Sequence, residues 1–178
     1  MADINLFLRE YSSFNSTFKE TSFDDNNNIH LCKDESQEVI NFDKILKSKY
    51  PDSNKRPKSF DAIYIYDDTI FCIEFKNQKP SYIDNSEIKD KLVNGKKELI
   101  KFLQNLNIQV RNYNITFCVV YKNCNEPFER YKCGIGKDRI LFGLEEYKYN
   151  GFVNEIFTNN VSFYTKQFKK LTKKELVC

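Results

Sequence analysis

The chain has 178 residues, with 28 Lys and Arg against 25 Asp and Glu, and a formal net charge of +3. That length suits one domain, residues 1–178, able to bury a core without disulfide or metal staples. A mean hydropathy of −0.62 with no apolar run of spanning length excludes a helical membrane segment, and the slight positive charge permits nucleic-acid binding without demanding it.

Met1-Ala2-Asp3-Ile4 shows no basic stretch followed by an apolar one, so no secretory signal is read and a cytoplasmic location is expected. The six cysteines, Cys32, Cys72, Cys118, Cys124, Cys133 and Cys178, include no C-x-x-C pair, and His30 is the one histidine. Zinc spacing is therefore absent, and reduced thiols are the expectation.

In chain order, Ile4 to Phe18 carries Leu6, Phe7, Leu8, Tyr11 and Phe14, a possible helix. The polar run at 24–28 reads as a loop, with His30 exposed beside it. A helix is predicted from about Glu35 to Lys49, with Asp34 as N-cap and Gln37 three residues on. Two strands follow, Ser59 to Tyr66 and Thr69 to Asn77, joined across Asp67-Asp68. The longest helix runs from about Glu87 to Leu106, capped by Asn85 or Ser86, with Ile88, Leu92, Leu99, Leu103 and Leu106 on one face. Its lysines, Lys89, Lys91, Lys96, Lys97 and Lys101, read mostly as a solvated surface. Asn114 to Tyr121 is apolar on both faces, as an interior strand requires. Arg139 to Tyr147 reads as a further strand after a turn at Cys133-Gly134-Ile135-Gly136, and Phe152 to Leu171 as helical in pieces. This order predicts an α/β fold, a small mixed β-sheet flanked by helices.

The residues that carry chemistry lie on the hairpin. Strand side chains alternate, so Glu74 and Lys76 project together and Phe75 points away. With Asp67-Asp68 as a two-residue tip, or with a four-residue tip, Asp61 falls opposite Glu74; a three-residue tip would put it on the wrong face. Opposed side chains on one face have Cβ atoms roughly 4.5–5.5 Å apart, close enough for two carboxylates to share a cation. Two carboxylates and a lysine in that arrangement suit phosphodiester hydrolysis: hard oxygens hold Mg²⁺ or Mn²⁺, the metal acidifies a bound water, and the ammonium orients that water and offsets charge on phosphorus. The competing reading is a strand start at Asp61 and a solvated face at Glu74 and Lys76. Against it, the surrounding Ile70, Phe71, Cys72, Ile73 and Phe75 describe an interior strand, where charges need partners.

Asp61 followed by Glu74-Phe75-Lys76 after a short hairpin resembles the PD-(D/E)xK nuclease superfamily, best over residues 34–121. Phe60 stands where the motif's name carries Pro. The resemblance implies a restriction-endonuclease-like core, a C-terminal extension over 122–178, and a metal-dependent endonuclease acting on DNA ahead of RNA. It implies Asp61, Glu74, Lys76 and Glu38 as catalytic residues, Glu38 being the acid of the first helix with Glu35 as its rival. The implied metal set is Asp61, Glu74, Glu38 and Phe75, and the implied cofactor is Mg²⁺ or Mn²⁺. Gln78 falls on the Glu74/Lys76 face, where it reads as a solvated strand end ahead of a substrate contact, and relatives with an upstream histidine ligand invite comparison with His30. A homodimer is expected if the substrate is duplex DNA. The rival functional readings are a nucleic-acid-binding module with a vestigial site, or a protein-interaction domain, on the same fold.

Overall fold

The computed structural model describes residues 3–123 and 139–178. Among these, six strands form one mixed sheet: β1 (Asn15–Thr17), β4 (Glu38–Asn41), β5 (Ala62–Tyr66), β6 (Thr69–Lys76), β7 (Asn114–Tyr121) and β8 (Glu155–Asn160), in that spatial order. β1, β4, β5 and β6 pair antiparallel, whereas β7 and β8 run parallel to β6. A separate two-stranded ribbon joins β2 (Phe23–Asp24) to β3 (Ile29–His30). The predicted α/β class is therefore observed, although the sheet extends at both edges beyond residues 34–121.

Helices cover both faces. α1 (Ile4–Glu10), α3 (Phe42–Lys49) and the long α4 (Asn85–Asn105) pack on one face with Ile40, Ile63, Ile70, Cys72 and Phe117 of the sheet. α5 (Glu145–Tyr149) lies beside them, through the partly buried Tyr147. α2 (Phe18–Thr21) and α6 (Val161–Thr172) cover the other face through Phe18, Val161, Tyr164 and Phe168.

α4 makes the parallel crossover from β6 to β7. Asp84 caps it by accepting from the Ser86 N–H at 2.8 Å, and Ile88, Leu92, Leu99 and Leu103 are buried as predicted. Gly95 lies in this inward stripe for a packing reason: a Cβ there would stand 2.7 Å from the Phe60 ring. Phe60 is fully buried and stacks on Phe42 with ring centroids 4.8 Å apart. It cannot swing aside, so α4 reaches the sheet only because residue 95 has no side chain.

Four sequence expectations are corrected. The helix predicted over 35–49 is a turn, then β4, then α3, whose cap is Asn41, accepting from the Lys44 N–H at 2.9 Å. Asp34 does accept from main-chain N–H groups, those of Ser36 and Gln37, but it caps an isolated turn, because the same side-chain-to-backbone pattern serves both structures. The strand predicted over 139–147 is absent: Phe142 and Gly143 both have φ near +64°, which breaks extension, and α5 follows. The predicted helical tail begins instead with β8, whose alternating burial at Ile156 and Thr158 is a strand pattern. Finally, Cys32 and Cys178 form a disulfide rather than remaining reduced. The C-terminal segment runs beside residues 33–34, with Lys33 N–H donating to Val177 O and Val177 N–H to the Asp34 carboxylate, which brings the two thiols together. Cys72 and Cys118 are free and buried, whereas Cys124, Cys133 and the turn at 133–136 lie outside the described residues.

Candidate active site

The hairpin register is the predicted one. Tyr66 pairs with Thr69 across Asp67-Asp68, and Ala62 pairs with Ile73, so continuing the ladder sets Asp61 opposite Glu74. Asp67 takes φ +51°, a left-handed conformation that Asp tolerates in tight turns. Asp61 is held firmly by its own backbone: its N–H donates to Ile73 O at 2.9 Å, and its carbonyl accepts from the Phe42 N–H at 3.0 Å, the first residue of α3.

Both carboxylates project to the face covered by α4. Asp61 Oδ2 accepts from the Phe75 N–H at 2.7 Å, so Phe75 touches the site through its main chain while its ring packs with Phe18 on the opposite face. Glu74 is completely buried. Its Oε1 lies 2.6 Å from Lys91 Nζ and 3.3 Å from Lys76 Nζ. Lys91 Nζ also lies 3.8 Å from Asp61 Oδ1, and Lys76 Nζ lies 2.7 Å from Glu87 Oε1. The structure thus assembles Asp61, Glu74, Phe75 and Lys76 as the sequence implied, and adds Lys91 and Glu87 from α4.

Glu74 Oε2 is buried and has no hydrogen-bond partner among the described residues. The contrast with Glu98 of α4, the second glutamate buried among the described residues, is instructive. Glu98 Oε2 meets Tyr50 Oη at 2.9 Å and Lys49 Nζ at 3.3 Å, while Oε1 meets Lys101 Nζ at 2.5 Å. Those contacts outweigh burial and hold its carboxyl below the ordinary range. For Glu74, burial and the neighbouring Asp61 charge outweigh Lys91 and Lys76, and its pKa is pushed up to about 8. Burial also raises the Asp61 carboxyl, against the pull of Lys91, the Phe75 N–H and Lys76; Asp43 adds to the rise. Lys91 moves the other way: burial opposes its charge, but Glu74 and Asp61 hold it protonated well above the usual lysine range.

Access to this group runs past Asp61, a quarter of whose side chain is exposed. Two clefts of about 300 and 370 Å³ meet there, sharing Thr21, Phe23 and Asp25 of the α2–ribbon segment. Lys76, Glu87 and Gln78 line the first; Glu20, His30, Asp43 and Lys44 line the second. Gln78 thus lies at the cleft wall just past the end of β6. His30 is half-buried rather than exposed, its Nδ1 2.8 Å from Lys19 O and its ring against Phe23.

Glu38 is not brought to the site. It lies exposed on β4 opposite Thr17, because the expected helix is a strand there. Its rival Glu35 pairs with Lys19 in solvent. The acid nearer Asp61 is Asp43, in the first turn of α3. Among the described residues no group of three His, Cys, Asp or Glu side chains is placed to hold a metal ion. Lys91 and Lys96, expected in solvent, both turn inward. Lys91 stands three residues after Ile88 and four before Gly95, inside the buried stripe, so its inward direction could have been deduced from helical spacing. No protein-family model, curated protein or solved structure matches this chain.

Proposed function

We propose that the chain is a divalent-metal-dependent endonuclease on a restriction-endonuclease-like core, hydrolysing phosphodiester bonds with DNA as the first substrate to test. One observation carries the reading: two opposed carboxylates at the end of an interior strand, one of them buried with an oxygen that no group among the described residues satisfies. Buried acceptors without partners are rare, and an ion is one of the recognised reasons for them. The order β4–β5–β6–α4–β7, three antiparallel strands and then a crossover to a parallel one, supports the same core.

The donor set fits a hard cation, since carboxylate oxygens are what Mg²⁺ and Mn²⁺ take. Asp61 and Glu74 would hold it, with the Phe75 N–H fixing the Asp61 carboxylate. When bound, such an ion supplies Lewis acidity at phosphate and a more acidic water. The chain's own groups do the remainder. Lys76, braced by Glu87, presents an ammonium beside Glu74 that can orient water and offset charge developing on phosphate. Asp61 and Lys76 line the cleft through which a backbone phosphate would approach. One carboxylate pair serves one strand, so concerted duplex cleavage would call for two copies of the chain. The test is cleavage of linear, circular and single-stranded DNA and of RNA with Mg²⁺, Mn²⁺ or EDTA. Metal-dependent cutting that Asp61→Ala removes is expected; cutting that survives both EDTA and Asp61→Ala would overturn the proposal.

A further inference from the structure

Lys91, one of five lysines spread around α4, makes the shortest contact to Glu74. Its side chain is only 18% exposed, and Nζ lies 2.6 Å from Glu74 Oε1, 3.8 Å from Asp61 Oδ1 and 3.9 Å from Glu87 Oε1. An ammonium so placed bridges the same two carboxylates that a shared cation would bridge. Magnesium oxygen ligands sit at about 2.0–2.1 Å with near-octahedral demands, and a lysine ammonium at hydrogen-bond distance from the same oxygen obstructs that shell by volume and by charge. Lys91 cannot retreat far, because its backbone is fixed within α4 between buried Ile88 and Leu92. It does have an alternative acceptor on its own helix: Glu87, one turn earlier, whose side chain is 37% exposed at the cleft wall. Glu87 already holds Lys76 at 2.7 Å, so its carboxylate is the place where both ammonium groups can be gathered away from Glu74.

We infer that Lys91 is a resident internal cation of the Asp61–Glu74 pair, which must give up Glu74 for Glu87 before a divalent cation can share the two carboxylates. This rests on the metal-dependent reading above, and it adds a function that reading lacks: Lys91 sets the threshold for cation entry. Univalent ions, carrying no more charge than the ammonium, compete poorly for its place, whereas a divalent ion carries twice that charge. Glu87 acts as the second berth and determines how readily Lys91 moves.

The experiment measures metal binding without catalysis. Full-length wild type, Lys91→Met and Glu87→Gln are stripped with EDTA, dialysed, and titrated with MnCl₂ and CaCl₂ by calorimetry and by thermal shift. Methionine keeps the length and helix preference of lysine but removes the charge. Lys91→Met should bind Mn²⁺ about tenfold more tightly or better than wild type, because the competitor is gone, and its melting temperature should rise more on metal addition. Glu87→Gln should bind more weakly than wild type, because Lys91 has lost its berth. If wild type binds metal and Lys91→Met binds it equally or more weakly, the displacement inference fails while the metal reading stands. If none of the three binds metal, both fail together. Should Lys91→Met not fold, Glu87→Gln decides alone: unchanged or tighter binding there overturns the inference.

Discussion

Glu74→Gln should remove a pH dependence of stability that the wild-type fold carries. In the unfolded chain Glu74 ionises at its ordinary value of 4.5, whereas in the fold it keeps its proton up to about 8. Between those values the unfolded state releases a proton that the folded state retains. The contribution is therefore fully present below the unfolded pKa and is lost as pH rises through the folded one. At about 1.4 kcal/mol per pH unit, the interval from about pH 6 to pH 8 is worth up to about 3 kcal/mol. For a chain of this size that corresponds to roughly 6–12 °C in melting temperature. The groups facing Glu74 are Asp61 ahead of β5, Lys76 on β6, and Lys91 with Glu87 on α4. Lys91 stays charged throughout that interval.

The assay is urea unfolding in EDTA at half-unit steps across that interval, with His30→Gln as a control for the one histidine. Wild type and His30→Gln should gain stability as pH falls toward 6; Glu74→Gln, which fixes the neutral form, should be flat. Equal slopes in wild type and Glu74→Gln would refute the burial argument, because they would show that the Glu74 carboxylate ionises as freely in the fold as in the unfolded chain.

Asp61→Ala should abolish cleavage and keep or slightly raise stability, since it relieves the repulsion on Glu74; circular dichroism melts beside rate measurements check both. Lys76→Ala should retain metal binding by calorimetry but lose turnover, and wild-type cleavage by it would remove the assignment at this site, whereas Glu38→Ala, at an exposed strand position, should cleave normally. Gly95→Ala should destabilise by about 1–2 kcal/mol, overpacking against Phe60 exceeding the roughly 1 kcal/mol gained in helix preference; a Gly95→Ala protein more stable than wild type in urea would contradict the packing. Cys178→Ser should lower stability by about 2–5 kcal/mol under oxidising conditions and change little with reductant, reflecting a loop closed over 146 residues; equal urea midpoints for the two proteins without reductant would rule the bridge out.

Where one physical rule dominated, the sequence was legible. The hairpin register followed from the two-residue tip at Asp67-Asp68, and with it the facing of Asp61 and Glu74. β7 was legible because both faces of Asn114–Tyr121 are apolar, and α4 because its buried stripe persists from Ile88 to Leu103, about four turns. Reading failed where one local signal serves two structures. Asp34 with Gln37 looks like a helix cap but closes a turn, which misplaced Glu38 on a helix face when it stands on a strand. Phe142 looked like a strand residue, and only its left-handed backbone, in a non-glycine residue, excludes extension. The disulfide was invisible because residues 32 and 178 meet only through tertiary pairing of the C-terminal segment. Lys91 is legible only from spacing: residue type groups it with the solvated lysines of α4, whereas its distance from Ile88 and Gly95 puts it on the core side.

The energetic oddity of the site is itself an argument about function. A buried ionic group can often be replaced by well-packed apolar residues with no loss, or even a gain, in stability. Here the strand bearing Glu74 is apolar on both sides, and the helix above it supplies Ile88 and Leu92, so a leucine at 74 and a methionine at 91 would suit the surrounding packing. Instead the chain places a carboxylate with an unsatisfied oxygen beside a second carboxylate and brings in two lysines to hold them. Glu98 of that helix demonstrates that this fold can satisfy both oxygens of a buried glutamate, with Lys49, Tyr50 and Lys101 as partners. The incomplete satisfaction of Glu74 is therefore a property of that position and not of the fold. It supports a site that is completed by a group other than its own side chains, which is the requirement the endonuclease proposal makes of Asp61 and Glu74.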